Sequence, residues 1–105
     1  MAVVVSLAPL IETLRVSTDL IVLFGSCATG TFRSSSDVDL LIVTSHEEAV
    51  FATIFEFGRS YPKEVRPVVV SLAQWMDYPE KNPVFFAEVG KGIVLYQSDR
   101  YESQL

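Results

Sequence analysis

The feature that most constrains the fold is a continuous apolar run, Leu20–Phe24, that stops at Gly25. Five apolar residues in a row, bounded by a glycine, are typical of a strand that is buried on both faces of a sheet. Residues 25–36 are rich in Gly, Ser and Thr, which indicates a loop or a short helical turn. A second strand is predicted over Ser36–Val43, polar at its start and apolar at its end. The chain is therefore expected to build a sheet that helices cover.

Helices with an apolar stripe are predicted before and after these two strands. The first runs from Ser6, as its N-cap, to about Val16. The second covers His46–Tyr61 and ends where Pro62 follows. Its inward-facing residues are expected to be Val50, Phe51, Ile54, Phe55 and Phe57.

The rest of the chain supplies a third strand and further helices. The third strand is predicted over Glu64–Ser71, where Pro67 argues for an edge position or a bulge. The elements that follow are a helix over Leu72–Met76 with Ser71 as its N-cap, a turn over Pro79–Pro83, a helix over Val84–Val89 and a strand over Ile93–Tyr96. This order predicts one α/β (α+β) domain over residues 1–105, with a small mixed β-sheet flanked by helices.

Composition excludes several classes of protein. Aromatic residues make up 11% of the 105 residues, which rules out intrinsic disorder. Cys27 is the only cysteine, which rules out a disulfide scaffold and favours the cytoplasm. No apolar run approaches the roughly 20 residues of a membrane span, and the first residues lack the basic start of a secretory signal. The net charge of −5 argues against direct binding to DNA.

Asp37 and Asp39 are the candidates for chemistry. Because side chains alternate along a strand, the two carboxylates are expected to point the same way. Such carboxylates repel each other and are costly to desolvate, and a divalent cation removes both problems. Mg²⁺ typically uses one or two carboxylates together with substrate phosphates, and Gly25 and Ser26 can approach a phosphate closely. The alternative interpretation is a solvated turn, in which Ser36 and Asp37 cap the strand.

The spacing of these residues resembles a known signature. Gly25-Ser26, ten further residues and then Asp37-Val38-Asp39 are similar to the pattern of the polymerase-β-like nucleotidyltransferase superfamily, and within it to the minimal nucleotidyltransferase branch. Other matching positions are Ala28, Gly30, Ser36 and Leu40. The resemblance is specific over residues 20–43 and looser over residues 44–105. It implies the palm-like nucleotidyltransferase fold of polymerase β.

The resemblance also implies an activity and a partner. The activity is a magnesium-dependent transfer of a nucleotidyl group, AMP from ATP, to a protein. Asp37 and Asp39 would be the catalytic residues and would hold two Mg²⁺ ions. The nucleotide would be bound by Gly25, Ser26, Thr29, Gly30, Arg33 and Ser36. The acceptor would be a toxin of the HEPN type, for which this chain would be the antitoxin. Independently of the resemblance, the many apolar residues of this short chain make a homodimer the other expected assembly.

Two departures from the family pattern leave alternatives open. Thr29 stands where the family often has an arginine, and Arg33 in the same loop is the candidate substitute. The third metal carboxylate of the superfamily lies in the third strand, where counting places Arg66. Glu64, two residues earlier, is the alternative third ligand. The sequence therefore supports either an active nucleotidyltransferase or a catalytically impaired relative that binds nucleotide or protein, and Arg66 favours the second.

Overall fold

A mixed four-stranded sheet forms the centre of the protein, in a computed structural model that describes residues 5–25 and 37–103. The strands are β1 (Thr18–Phe24), β2 (Val38–Thr44), β3 (Val65–Val70) and β4 (Ile93–Gln97). They lie in the order β3-β2-β1-β4. Strand β1 is antiparallel to β2 and β4, whereas β2 and β3 are parallel. The predicted fold class is therefore confirmed.

Helices cover both faces of this sheet. They are α1 (Ala8–Leu14), α2 (Glu47–Gly58), α3 (Leu72–Lys81), α4 (Pro83–Gly90) and α5 (Asp99–Glu102). Across the described ranges, no helix has the length and apolar character needed to cross a membrane.

Two buried clusters, one on each face, hold the layers together. The cluster under α1 and α2 contains Leu7, Leu10, Leu14, Ile21, Leu23, Val38, Leu40, Ile42, Val50 and Ile54. The cluster under α3, α4 and α5 contains Leu20, Val22, Leu41, Val43, Val70, Trp75, Val89 and Tyr101. Successive residues of β1 and β2 alternate between the clusters, so both central strands need apolar residues throughout. This confirms the prediction that Leu20–Phe24 is a strand covered on both faces.

Strand β3 is an edge strand, as Pro67 predicts. The N–H of Val38 donates to the carbonyl oxygen of Glu64 at 2.8 Å, and Val38 pairs with Val65 in the parallel register. In such a ladder the backbone groups of alternate residues point to the same side, so the even-numbered residues of β3 bond to β2. Pro67 therefore faces the open edge, where its missing N–H costs no sheet hydrogen bond.

The first two helices differ from the prediction in one cap and two core residues. Ser6 does not cap α1, whose N-cap is Leu7; the Ser6 hydroxyl is instead 2.6 Å from that of Tyr61. In α2, Phe51 is 44% exposed and Phe55 is 72% exposed, so their predicted inward orientation is wrong. The buried residues are Val50 and Ile54, four positions apart. They alone are buried because only a narrow stripe of α2 contacts the sheet and α1.

The predicted turn over Pro79–Pro83 is also wrong, since α3 continues through Pro79 to Lys81. Ser71 starts α3 with a capping box, as its predicted role as N-cap required. The helix ends at Asn82, whose N–H donates to Tyr78 O at 2.8 Å and whose side chain accepts from Phe85 N at 3.3 Å. One residue thus ends α3 and begins α4, which leaves no room for a longer turn.

Candidate functional site

The candidate site lies where β1 ends and β2 begins. These strands are antiparallel, and Phe24 pairs with Asp39. Gly25 comes directly after Phe24 and has a φ of +77°, a backbone conformation that side chains with a Cβ rarely adopt. A Cβ placed on Gly25 would lie 2.5 Å from Oδ2 of Asp39. The turn that the sequence assigns to phosphate binding is therefore packed directly against one of the two predicted metal-binding carboxylates.

Arg66 completes the described part of the site. It is the residue of β3 in register with Asp39 on the neighbouring strand, so the two side chains share the sheet face covered by α3 and α4. Its Nη1 donates to Oδ2 of Asp37 at 3.2 Å. Both side chains reach solvent, with 64% of Arg66 and 35% of Asp37 exposed. The expectation that Arg66 lies beside the Asp37 and Asp39 pair agrees with this register.

The surroundings of Asp39 disfavour its charged form. Burial raises the pKa of the Asp39 carboxyl above its ordinary value, and the nearby Asp37 carboxylate raises it further. The Arg66 guanidinium opposes both effects and lowers that pKa. Because desolvation is the largest of these effects, a further cation bound next to Asp39 would stabilise the charged form of its carboxyl.

The donor set fits one Mg²⁺ better than two. Asp37 and Asp39 can supply the one or two carboxylates that Mg²⁺ takes when substrate phosphates complete its coordination. In the part of the chain that the structure describes, no group of three His, Cys, Asp or Glu side chains could hold a metal ion. Glu64 is therefore not gathered with Asp37 and Asp39, whereas the guanidinium of Arg66 lies beside them.

The remaining predicted nucleotide ligands lie outside the described residues. They are Ser26, Thr29, Gly30, Arg33 and Ser36. Their assignment stays a prediction, and Gly25 is the member of the predicted set that the structure places at the site.

Aromatic rings of α3 and α4 pack against the end of β1 that leads into the site. The ring of Phe24 meets that of Phe85 edge to face, with centroids 5.4 Å apart. Phe85 also lies 5.6 Å from Tyr78, which in turn packs on Trp75. This row ties α3 and α4 to the end of β1, and so holds in place the strand end from which Gly25 turns.

Sequence reasoning missed two contacts in this site. One is the close approach of Gly25 to Asp39, which follows from the antiparallel register of β1 and β2. The other is the bond between Arg66 and Asp37, which depends on the register of β3. The signal available was the count along residues 64–68, which places Arg66 near the pair but does not say which partner it takes.

Comparison with known proteins points to one family. The family model described as nucleotidyltransferase domain matches residues 10–90. A search of curated proteins found no match.

Solved structures show the same fold at low identity. A crystal structure of a toxin–antitoxin with AMP-PNP aligns with a TM-score of 0.62 and 18% identity, over 96% of this chain and 78% of the other. A mutant of the toxin–antitoxin MntA-HpeT aligns with a TM-score of 0.60 and 17% identity, over 96% and 78%. A proposed nucleotidyltransferase from Sulfolobus solfataricus aligns with a TM-score of 0.54 and 19% identity, over 93% and 83%.

Proposed function

The chain belongs to the nucleotidyltransferase domain family, and from that premise we propose that it transfers a nucleotidyl group from a nucleoside triphosphate to a protein. The observation that carries the proposal is the packing of Gly25 against Asp39. A turn able to take a phosphate and carboxylates able to take a metal ion thereby meet from adjacent strands. Nucleotidyl transfer needs both at the reacting phosphate.

Each residue has a role in this proposal. Asp37 and Asp39 bind Mg²⁺, which when bound supplies positive charge to the phosphates and to the acceptor oxygen. Gly25 lets the Asp39 carboxylate lie against the turn because it carries no side chain, and Ser26 is proposed to hold the terminal phosphates. The acceptor hydroxyl gives its proton to water, its oxygen bonds to the α-phosphorus, and the bond from that phosphorus to the bridging oxygen breaks. Pyrophosphate leaves.

The fold neighbours guide the choice of both the nucleotide and the acceptor. One neighbour was solved with AMP-PNP, an ATP analogue, which supports ATP as the donor. Two neighbours are toxin–antitoxin structures, which supports a protein partner. We propose a HEPN-type toxin as that partner, in the cytoplasm, with this chain as its antitoxin.

Transfer of label tests this function directly. The protein would be incubated with ATP labelled at the α-phosphate, Mg²⁺ and the product of the neighbouring gene. Wild type should label the partner, and Asp37→Asn and Asp39→Asn should each abolish the label. Asp99→Asn is the matched control, because Asp99 begins α5 next to the opposite end of β1. Label that survives both site substitutions, or that wild type never transfers, would contradict the proposal.

A second function is favoured by one observation, the ion pair between Arg66 and Asp37. A cation already bound to Asp37 competes with a metal ion for that carboxylate. The chain would then bind the nucleotide without transferring it, as a nucleotide-binding partner of another protein. ATP binding by wild type without any label transfer would identify this function.

A further inference from the structure

We infer that Arg66 is a phosphate-binding residue of this site, which moves from Asp37 to the nucleotide and takes the place of a second metal cation. The inference rests on the proposed function, since it assumes that a nucleotide binds at Gly25, Asp37 and Asp39. It differs from that function in saying where the second positive charge comes from.

The position of Arg66 supports this role. Arg66 lies on β3 in register with Asp39, on the same face of the sheet, and its Nη1 already reaches Oδ2 of Asp37. A phosphate held by a cation at these two carboxylates would therefore lie close enough for the Arg66 guanidinium to donate hydrogen bonds to it. Its planar set of N–H donors matches two oxygens of one phosphate.

The charge of the site supports it as well. Two carboxylates and one guanidinium carry a net charge of −1 among Asp37, Asp39 and Arg66. A single Mg²⁺ turns that balance positive and so strengthens the attraction of a polyphosphate, which the Arg66 guanidinium alone supports more weakly. A second Mg²⁺ would have to bind next to the Arg66 guanidinium without a third carboxylate. Among the described residues, no third acidic, His or Cys side chain joins Asp37 and Asp39 in a group that could hold a metal ion.

The exposure of the ion pair allows the exchange. The Arg66 side chain is 64% exposed, and a pair this open to solvent is held weakly. Two events then favour release: a metal ion competes for Asp37, and phosphate oxygens offer the guanidinium more acceptors than one carboxylate oxygen does. Arg66 is thus paired with Asp37 when no nucleotide is bound, and it contacts phosphate when the nucleotide is bound.

Nucleotide binding without metal ions separates this role from a structural one. Calorimetric titration with ATP in EDTA should show binding by wild type, and Arg66→Gln should weaken it about tenfold or more. Arg59→Gln is the matched control: Arg59 is 66% exposed and pairs with Glu56 at 3.3 Å, much as Arg66 pairs with Asp37. It should bind like wild type. Arg66→Lys should restore part of the affinity, and circular dichroism would verify that each variant is folded.

A double substitution tests the exchange itself. In EDTA, Asp37→Asn should tighten ATP binding because it frees Arg66. If the gain comes through Arg66, it should be smaller when Arg66→Gln is already present. An equal gain in both backgrounds would show that Asp37 acts only by repelling the phosphates, and would overturn the exchange.

The outcomes distinguish this inference from the proposed function. Binding of ATP by wild type only with Mg²⁺, or equal affinities of Arg66→Gln and Arg59→Gln in EDTA, overturns the inference and leaves the proposed function standing. No binding of ATP by wild type with or without Mg²⁺ overturns both.

Discussion

Replacing Gly25 by alanine tests the contact that builds the candidate site. Gly25 has a φ of +77°, and a Cβ there would lie 2.5 Å from Oδ2 and 3.4 Å from Cγ of Asp39. Gly25→Ala therefore combines an unfavourable backbone conformation with an overlap against a carboxylate. We expect the variant to be less stable than wild type and to bind nucleotide less well.

The magnitude follows from three effects. The left-handed backbone costs a residue with a Cβ about 1–2 kcal/mol. The overlap with Asp39 adds up to about 1–2 kcal/mol, less where the partly buried carboxylate can move aside. Alanine allows the unfolded chain fewer conformations than glycine does, which offsets about 0.4–1 kcal/mol of the lost stability. The net loss is about 1–3 kcal/mol, which for a domain of this size lowers the melting temperature by roughly 4–12 °C.

The assay is thermal and urea unfolding, followed by circular dichroism and by the fluorescence of Trp75. Trp75 is the single tryptophan and is buried, so its emission reports the loss of the core under α3 and α4. The control is Gly58→Ala at the end of α2, where a Cβ meets nothing within 4 Å and φ is not positive. That variant should match wild type or gain up to about 1 kcal/mol, because alanine favours a helix over glycine.

A double-mutant cycle separates the two costs. In an Asp39→Ala background the overlap with the carboxylate is gone, whereas the cost of the backbone conformation remains. Gly25→Ala should then cost less than it does in wild type, by about 0.5 kcal/mol or more. A Gly25→Ala variant whose stability lies within about 0.5 kcal/mol of wild type would show that neither the backbone conformation nor the contact with Asp39 is costly, since that is the range of a neutral surface substitution.

Three further predictions concern the core, a helix cap and pH. Trp75 Nε1 donates to the Tyr101 hydroxyl at 3.2 Å inside the core, so Tyr101→Phe should cost about 1–3 kcal/mol in urea unfolding; a neutral effect would mean that the indole finds another acceptor. Ser71→Ala removes the capping box of α3 and should lower the free energy of unfolding by about 0.5–2 kcal/mol. Ser71→Asp should retain most of the stability, because aspartate is also a good N-cap. The pKa of Asp39 is raised by burial, so in EDTA its contribution to stability falls as pH rises from the ordinary value of 3.8 through the folded-state pKa. Asp39→Asn should abolish this fall and be more stable than wild type at neutral pH; a less stable variant would contradict the assigned cause.

Local patterns in the sequence predict much of the fold. The apolar run Leu20–Phe24, the change from polar to apolar residues along Ser36–Val43 and the proline in the third strand correspond to β1, β2 and the edge strand β3. Each of these signals depends on geometry within a few residues, such as the two-residue period of a strand or the missing N–H of proline. They need no knowledge of what packs against them.

The errors arise where a neighbouring element decides the outcome. Phe51 and Phe55 are as apolar as Val50 and Ile54, and only the position of α2 on the sheet determines which pair is buried. Pro79 is a helix breaker in isolation, yet α3 continues past it to Lys81. The aromatic row through Tyr78 and Phe85 stabilises that last turn, and no local pattern specifies such packing.

The same division holds for the candidate site. The local pattern of the sequence predicts that the carboxylates of Asp37 and Asp39 point the same way, because side chains alternate along a strand. Only the tertiary structure decides that Gly25 packs against Asp39 and that Arg66 takes Asp37 as its partner. Those contacts depend on the registers of β1 and β3 against β2, and a register is set by the packing of whole strands between two layers of helices.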